Sequence, residues 1–547
     1  GVVTDDGDND GQVSGSITGG AFTKSGSGVL HVTGSNDWTS TAIEAGTLQM
    51  GSSGSIPNNK NLVLDGVLDL FGADLLVSNL NGSGRVTTTD SSSSALRVSG
   101  SGTFSGVIED GSGTLSIRKT GSNEFTLSGN NTYSGLTEVS SNGRLYIGHS
   151  NALGSTVSGT LVGSGAMLGL EGDISVGEEA LSITGTGYSS NSAPLYNVSG
   201  SNTWSGTVSL LGDSNIRSHN GSLGLLNTSS IVGSDYDVSF RGVGTTTVEG
   251  VIALGSGGIN KLDTGVLTLS GNNTYEGATS ITGGVLIASN DNALGTLDSG
   301  TTVSSGESLV LSGGVTIAEP LTVTGSGYSG YGALSSIGSD NSYSGEIVLS
   351  SSTTIDTQTG TFTLDGTTAI SATAARYLTL TGEGDLLLEG QVSLPSNSKI
   401  TLDSGAHLKM GASDVLSSSI DLEFNGGSFY TQGYNNALDQ LILTEDSELY
   451  LGTGSHTLRF TEAGTFNFRK LTVNDWLGTY GGSGVSGSAG KLFVTADVNR
   501  EKLDQIDYYN SSDSKDYYTL QLESQELVPG DDRLGTPTGH SNVRISD

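Results

Sequence analysis

The sequence has no cysteine, little proline and no long apolar run. Because none of the 547 residues is Cys, disulfides and Cys-based metal sites are excluded. The 6 Pro exclude collagen and Pro-rich linkers. No stretch of about 18 apolar residues occurs, so no segment is predicted to cross a membrane as a helix. What is abundant is Gly, with 85 residues, accompanied by small and β-branched side chains that favour a narrow β core.

Basic residues are also scarce. The chain has 22 Lys and Arg against 56 Asp and Glu, which gives a formal net charge of −34. Nucleic-acid binding requires clustered Lys and Arg, so nucleic acid is excluded as a partner class. Docking on anionic lipid is disfavoured for the same reason. An acidic surface favours solubility and the binding of cations.

One stretch of the chain is duplicated. Leu127-Ser-Gly-Asn-Asn-Thr-Tyr133 recurs letter for letter as Leu269-Ser-Gly-Asn-Asn-Thr-Tyr275. The flanking sequence recurs as well, so that residues 104–206 and 248–345 form two copies of one block. Self-similarity of this kind is the sequence signature of a repeat architecture.

The texture between the duplicated motifs is uniform. Short alternating runs such as Val29-Leu-His-Val-Thr33 are separated by Gly, Ser, Asn or Asp, which predicts many half-buried strands and almost no helix. We therefore predict an all-β fold, a long right-handed parallel β-solenoid over 17–435. Residues 1–16 are predicted to be an acidic tail. Residues 436–547 are more aromatic and charged, and are predicted to form a β-rich C-terminal cap.

The duplicated motif has a recognisable continuation. Leu127 to Gly135 is followed by Gly143-Arg-Leu145 and then by Asn151-Ala-Leu-Gly154. The second copy, from Leu269, continues to Asn292-Ala-Leu-Gly295. This order resembles the passenger-associated transport repeat, also called the autotransporter-associated β-strand repeat. The resemblance is specific for the repeat family and says little about molecular function.

The resemblance implies an exported, adhesin-like β-solenoid. Such a protein would be extracellular or lie on the outer cell surface of a Gram-negative bacterium, after removal of a signal peptide. The first residue, Gly1, is not a methionine, which fits a processed N-terminus.

The N-terminal stretch contains a candidate calcium site. Asp6, Asp8 and Asp10 alternate along the chain and are followed by Gly11, as in the first half of an EF-type loop. The twelfth loop position is Ile17 rather than Glu, so the bidentate ligand is missing. The sequence leaves two interpretations open, a Ca²⁺ site and a solvated acidic tail.

Six aromatic residues occupy similar positions near the turn motifs, and they have two interpretations. They could form a platform for sugars, or they could pack between coils at the corners of the solenoid, which we favour. These residues are Trp38, Phe104, Tyr133, Trp204, Tyr275 and Tyr343.

Three carboxylates are the only candidates for lyase chemistry. Polysaccharide lyases with a β-helix fold combine carboxylates for calcium with a basic residue. Glu383, Asp385 and Glu389 are close in sequence, but the sequence shows no basic residue beside them. The six His are scattered without paired spacing, so a His metal site is not predicted.

Two function classes follow. The first is a non-enzymatic extracellular structural or adhesive β-solenoid, whose partner is itself, as an oligomer or filament, or a glycan or matrix. The alternative is a polysaccharide-binding or polysaccharide-cleaving β-helix. An assay for the release of fragments from acidic polysaccharides in the presence of calcium separates the two classes, because turnover would exclude the non-enzymatic one.

Self-association is expected to depend on the N-terminal residues only in one mode. End-to-end contact by β-augmentation would use the terminal coils, whereas side-by-side contact would use Asn, Thr and Ser side chains. Deleting residues 1–16 should abolish the first mode and spare the second, as measured by sedimentation. A monomer at every ionic strength and calcium level would contradict both modes.

Overall fold

The computed structural model describes residues 3–51, 55–475, 490–496, 498–510, 515–521 and 526–529. It comprises two compact units, Gly1–Gly277 and Ala278–Asp547. The fold is nearly all β, and its parallel stacked strands form a β-solenoid, as predicted. In the described residues the single helix is α1, Arg500–Leu503.

The first unit contains strands β1 to β31, and all of its described ladders are parallel. The strands are β1 Val3–Asp5, β2 Gly11–Val13, β3 Ala21–Lys24, β4 Val29–Val32, β5 Ser40–Ile43, β6 Thr47–Met50, β7 Lys60–Leu64, β8 Val67–Asp69, β9 Leu75–Asn81, β10 Arg85–Thr87, β11 Ser94–Val98, β12 Gly102–Phe104, β13 Val107–Ile108, β14 Leu115–Lys119, β15 Glu124–Leu127, β16 Thr137–Val139, β17 Arg144–Ile147, β18 Thr160–Val162, β19 Met167–Leu170, β20 Ser175–Val176, β21 Leu181–Gly185, β22 Leu195–Asn197, β23 Ser201–Trp204, β24 Val208–Ser218, β25 Ser222–Leu225, β26 Ile231–Val232, β27 Val238–Arg241, β28 Thr245–Val248, β29 Ile252–Ala253, β30 Ile259–Lys261 and β31 Val266–Leu269.

The second unit contains strands β32 to β57. They are β32 Thr279–Ile281, β33 Val285–Ala288, β34 Thr301–Val303, β35 Ser308–Ser312, β36 Thr316–Ile317, β37 Leu321–Gly325, β38 Leu334–Ile337, β39 Asn341–Tyr343, β40 Ile347–Thr357, β41 Thr361–Leu364, β42 Thr368–Ser371, β43 Tyr377–Thr381, β44 Asp385–Leu388, β45 Gln391–Ser393, β46 Ser398–Asp403, β47 His407–Met410, β48 Ile420–Asn425, β49 Ser428–Tyr430, β50 Asn436–Glu445, β51 Ser447–Tyr450, β52 Thr457–Ala463, β53 Leu471–Asn474, β54 Lys491–Val494, β55 Ile506–Asn510, β56 Lys515–Gln521 and β57 Glu526–Pro529.

Alternation along each strand decides which side chains are buried. In β3 and β4, for example, every second residue is buried and the residues between are only partly covered. Each strand pairs in parallel with the corresponding strand one coil later, so buried residues of successive coils face one another in register. We call such a set of residues a column. One such column is Leu30, Leu48, Leu68, Val86 and Ile108. These columns are the hydrophobic core of the solenoid.

Close approach between coils explains part of the glycine content. At Gly106 a Cβ atom would lie 1.9 Å from the carbonyl oxygen of Gly84, one coil earlier. A side chain at this corner would therefore collide with backbone, so only Gly allows the coils to stack at strand spacing.

Buried Asn side chains cross-link the coils at the corners. In each case the side-chain oxygen accepts a hydrogen bond from a backbone N–H of the preceding coil. The six pairs are Asn36 with Ile17, Asn131 with Ile108, Asn202 with Ile174, Asn273 with Ile252, Asn341 with Val315 and Asn436 with Leu416. These amides pair backbone groups that the strand ladders leave open, which a buried corner requires.

Parallel pairing is found on both sides of the boundaries predicted at residues 16 and 435. β1 and β2 pair in parallel with β3 and β4. β50 pairs in parallel with β48 and β52. The pattern changes further on, where β57 runs antiparallel to β54, β56 antiparallel to β55, and β57 antiparallel to β56. These antiparallel strands cover the last parallel strands of the second unit.

Candidate functional site

Two of the predicted calcium ligands, Asp8 and Asp10, accept hydrogen bonds from the next coil. The Asp8 Oδ1 atom accepts hydrogen bonds from the backbone N–H and the hydroxyl of Ser27, at 3.2 and 3.1 Å. These hydrogen bonds hold the pKa of Asp8 below its ordinary value. Asp10 Oδ1 accepts from the backbone N–H of Val29 at 2.9 Å, and Asp6 is exposed. Within the described part of the chain, no three His, Asp or Glu residues are grouped so as to hold a metal ion. Calcium binding by Asp6, Asp8 and Asp10 stays a prediction.

The six corner aromatics are all buried in the core. Each of them has 0% of its surface exposed, so a sugar cannot contact their rings. Polar atoms of these side chains are paired internally: Trp38 Nε1 donates to Thr41 Oγ1 at 2.7 Å, and the Tyr133 hydroxyl bonds to Thr137 Oγ1 at 2.6 Å. The packing interpretation therefore holds, and these residues do not form a sugar platform.

The three candidate lyase carboxylates do not converge. Glu383 precedes β44, Asp385 is its first residue and Glu389 follows its last residue, and both glutamates are exposed. The prediction that no basic residue accompanies them is wrong. Lys409, one coil later, places its Nζ atom 2.6 Å from Asp385 Oδ2. Sequence reasoning missed it because Lys409 becomes a neighbour only when coils stack.

Asp385 belongs to a surface cluster on four successive coils of the second unit. In register, His407 lies opposite Asp385, Tyr430 opposite Lys409, and Tyr450 opposite Tyr430. Together with Glu448 beside Tyr450, they form what we call the tyrosine face: Asp385, His407, Lys409, Tyr430, Glu448 and Tyr450. These side chains occupy the outward positions of β44, β47, β49 and β51.

Aromatic stacking orders the tyrosine face. The rings of Tyr430 and Tyr450 lie 4.4 Å apart at an interplanar angle of 5°. Lys409 Nζ is 5.1 Å from the centroid of Tyr430, and His407 meets the same ring edge-on at 5.7 Å. The Tyr430 ring is therefore flanked along the stack by Lys409 and by Tyr450.

Both tyrosines keep their hydroxyl protons. Burial raises the pKa of Tyr430 above its ordinary value. The Tyr450 hydroxyl donates a hydrogen bond to Glu448, and this bond together with burial raises the pKa of Tyr450. Asp385 is meanwhile paired with Lys409 at 2.6 Å and with His407 Nδ1 at 3.2 Å. The cluster therefore offers neutral hydroxyls, carboxylate acceptors and one ammonium donor, which is a set suited to hydrogen bonding with a polyhydroxylated ligand.

Three segments of the chain match the family model described as the passenger-associated-transport-repeat, at residues 22–50, 117–147 and 259–288. The chain carries passenger-associated-transport repeats. This confirms the resemblance seen in the sequence and adds a copy near the N-terminus. No curated protein and no solved structure matches the chain.

Each repeat covers four strands and places a buried lysine at its third residue. These lysines are Lys24, Lys119 and Lys261. Their ammonium groups donate to main-chain carbonyls just beyond the strand: Lys24 to Gly26, Lys119 to Thr120 and Gly121, and Lys261 to Leu262 and Asp263. Burial, assisted by the charge of Arg144, lowers the pKa of Lys119 to about 8. The repeat lysine thus pairs carbonyl groups of the turn that follows the strand.

The repeats and the solenoid fit an autotransporter passenger domain. Passenger repeats imply a secreted protein on the outer surface of a Gram-negative bacterium. In the part of the chain that the structure describes, no helix combines the length and the apolar character needed to cross a membrane.

Proposed function

We propose that this chain is an adhesive passenger that binds a neutral extracellular polysaccharide along its tyrosine face. The observation that carries the proposal is the stacked pair Tyr430 and Tyr450, with Lys409 in the same column and Asp385 and Glu448 in the neighbouring one. Sugar hydroxyls both donate and accept hydrogen bonds, and this face supplies both kinds of partner.

The spacing of the coils supports a linear ligand. Neighbouring strands lie about 4.8 Å apart, so a polymer that runs along the stack meets new hydrogen-bonding groups at every coil. Each contact is weak, but contacts along one polymer add up through effective concentration.

The charge of the face favours a neutral polymer over an acidic one. Asp385 and Glu448 carry two negative charges, and Lys409 already pairs with Asp385 at 2.6 Å. An acidic chain would therefore meet net repulsion here, in a protein whose formal charge is −34. Self-association and attachment to other matrix components belong to the same adhesive class, and they stay predictions.

Replacing both stacked tyrosines, Tyr430→Ala with Tyr450→Ala, should weaken binding to a neutral polysaccharide at least tenfold, or by about 1.4 kcal/mol. Binding would be measured by affinity electrophoresis with dextran and galactomannan and by depletion onto cellulose. Tyr377→Ala is the matched control, because Tyr377 is an exposed tyrosine of the same unit that also lies beside a lysine, Lys399.

The proposal fails if the double variant binds all three polymers as the unmodified protein does, with an unchanged circular dichroism spectrum. Release of reducing ends from any polymer would instead favour the cleaving alternative.

A further inference from the structure

A second surface cluster lies in the first unit, away from the tyrosine face in sequence and of opposite charge. Tyr196 in β22, Arg217 in β24 and Arg241 in β27 face one another in register on successive coils. Arg97 and Arg118 also face each other in register, but there each arginine pairs with its own carboxylate, Asp74 and Glu138 respectively. We call Tyr196, Arg217, His219, Arg241 and Asp263 the arginine face.

Both guanidinium groups share one carboxylate oxygen. Arg217 Nη1 lies 3.0 Å and Arg241 Nε 3.6 Å from Asp263 Oδ2. The same oxygen also accepts the backbone N–H of Gly242 at 2.9 Å. One negative charge therefore serves two positive charges, and the Nε atoms of Arg217 and Arg241 are buried without a hydrogen-bond partner. The pair therefore retains a net positive charge that Asp263 does not balance.

A loop contact holds Arg241 in place. The Ser190 carbonyl accepts a hydrogen bond from Arg241 Nη1 at 3.2 Å. In the same loop, the ring of Tyr188 lies 3.8 Å from the Arg144 guanidinium carbon. Arg144 in turn pairs with Glu124 at 3.7 Å, so it does not share in the charge of the arginine face.

Aromatic and imidazole groups border the arginine pair. Tyr196 lies directly beside Arg217 in the column, and exposed His219 is 6.1 Å from the Tyr196 ring. Arg217 itself is nearly covered, with 9% of its side chain exposed, while Arg241 exposes 25%. A ligand anion would therefore reach Arg241 first, with Arg217 reinforcing it from beneath.

We propose that the arginine face binds the anionic group, a carboxylate or a sulfate ester, of an acidic saccharide. A planar guanidinium has five N–H donors and binds such oxyanions through paired hydrogen bonds. Tyr196 and His219 supply a ring edge and a polar group for the sugar that carries the anion. This site is separate from the tyrosine face and selects the opposite ligand charge.

The test is calorimetric titration of the full chain at 150 mM salt. The Debye length is then about 8 Å, which limits repulsion by the remaining acidic surface. The probes are tri-galacturonate, a sulfated chondroitin tetrasaccharide and neutral maltotriose. Arg241→Gln should weaken binding of the acidic probe at least tenfold. Arg97→Gln is the control, because Arg97 is exposed and pairs one-to-one with Asp74 at 2.8 Å; it should leave affinity unchanged.

Asp263→Asn keeps an oxygen for Gly242 and removes the competing charge, so it should tighten binding of the acidic probe severalfold. This gain is independent of any loss of folding in the Arg241 variant. The site is supported if the affinity for an acidic probe falls in Arg241→Gln and rises in Asp263→Asn. The acidic probe that binds more tightly identifies the anion. Equal binding of maltotriose, or affinity that neither variant changes, would overturn the proposal.

Discussion

Raising the pH from 6 to 9 is expected to loosen the coils around Glu179 and Glu319. Each carboxyl is 3% exposed and bonds to one threonine, Glu179 to Thr160 at 2.8 Å and Glu319 to Thr301 at 3.2 Å. The other oxygen of each is buried without a partner. Burial raises the pKa of Glu179 to about 7 and that of Glu319 to about 8. The two sites occupy equivalent places in the two copies of the duplicated block.

The direction of the effect follows from proton binding. An unfolded Glu titrates near 4.5, below either folded value. Between 4.5 and about 7 or 8 the folded state therefore binds a proton that the unfolded state has lost, so stability falls as pH rises. The contribution of each carboxyl is complete below pH 4.5 and is lost as pH passes the folded pKa. Above pH 6 about one pKa unit remains for Glu179 and about two for Glu319, so at about 1.4 kcal/mol per unit the loss is about 1 to 3 kcal/mol per site.

Glu179→Gln and Glu319→Gln should remove most of this pH dependence. Glutamine cannot ionise, so at pH 9 each variant should protect its own coils from amide hydrogen exchange better than the unmodified protein does. Near Glu179 the reporters are β18 and β21, and near Glu319 they are β34 and β37.

Glu249→Gln and Glu389→Gln are controls for the two units, because both residues are exposed. They should leave the pH profile unchanged. Local protection that stays constant from pH 6 to 9 in the unmodified protein would contradict the assignment, once exchange rates are corrected for intrinsic pH dependence.

Replacing Asn131 with Ala should destabilise its coils by about 3 kcal/mol or more. The Asn131 oxygen accepts from the backbone N–H of Ile108 at 2.9 Å, and its Nδ2 donates to the carbonyl of Ala152 at 2.6 Å. Asn131 is buried, so truncation leaves two backbone groups without partners, and each costs about 1–3 kcal/mol. The lost contacts join three successive coils, which spreads the damage along the stack.

The preceding residue is a matched control. Asn130 is exposed and makes one side-chain hydrogen bond, from Asn151 at 2.8 Å. Asn130→Ala should change stability by no more than about 0.5 kcal/mol. Because repeat arrays need not unfold in one step, local hydrogen exchange in β13 and β15 is a better measure than a single melting temperature. Equal protection in the two variants would show that the buried amide does not bridge the coils.

Alternation and duplication predicted the architecture correctly because both can be read from the order of residues, without knowing which residues become neighbours in the fold. Buried and partly exposed residues alternate in β3 and β4, as the run Val29-Leu-His-Val-Thr33 indicated. The duplicated Asn-Asn-Thr-Tyr motif led to the repeat family, and its corner aromatics are buried in the core. Lys119 and Lys261 occupy matched positions in the two duplicated blocks, whereas the repeat that contains Lys24 lacks the Asn-Asn-Thr-Tyr motif and was not found from the sequence.

The surface clusters were not predictable in the same way. Asp385 with Lys409 and Arg217 with Arg241 lie one coil apart, and coils of this chain differ in length because loops of different size interrupt them. A constant period therefore cannot assign the neighbour. The deep burial of Glu179 and Glu319 was missed because a Glu side chain is rarely fully buried, so residue type alone predicts exposure.

The sequence by itself determined the strands, their inward faces, the repeat family and the acidic surface. These follow from side-chain period, residue type and net charge, which need no knowledge of distant contacts. Only the tertiary structure decided which outward residues share a column, and therefore where tyrosines stack, where two arginines share one carboxylate and which carboxyls lose water. Parallel stacking brings residues together across a whole coil, and the energies of charge and burial depend on those neighbours rather than on adjacent residues.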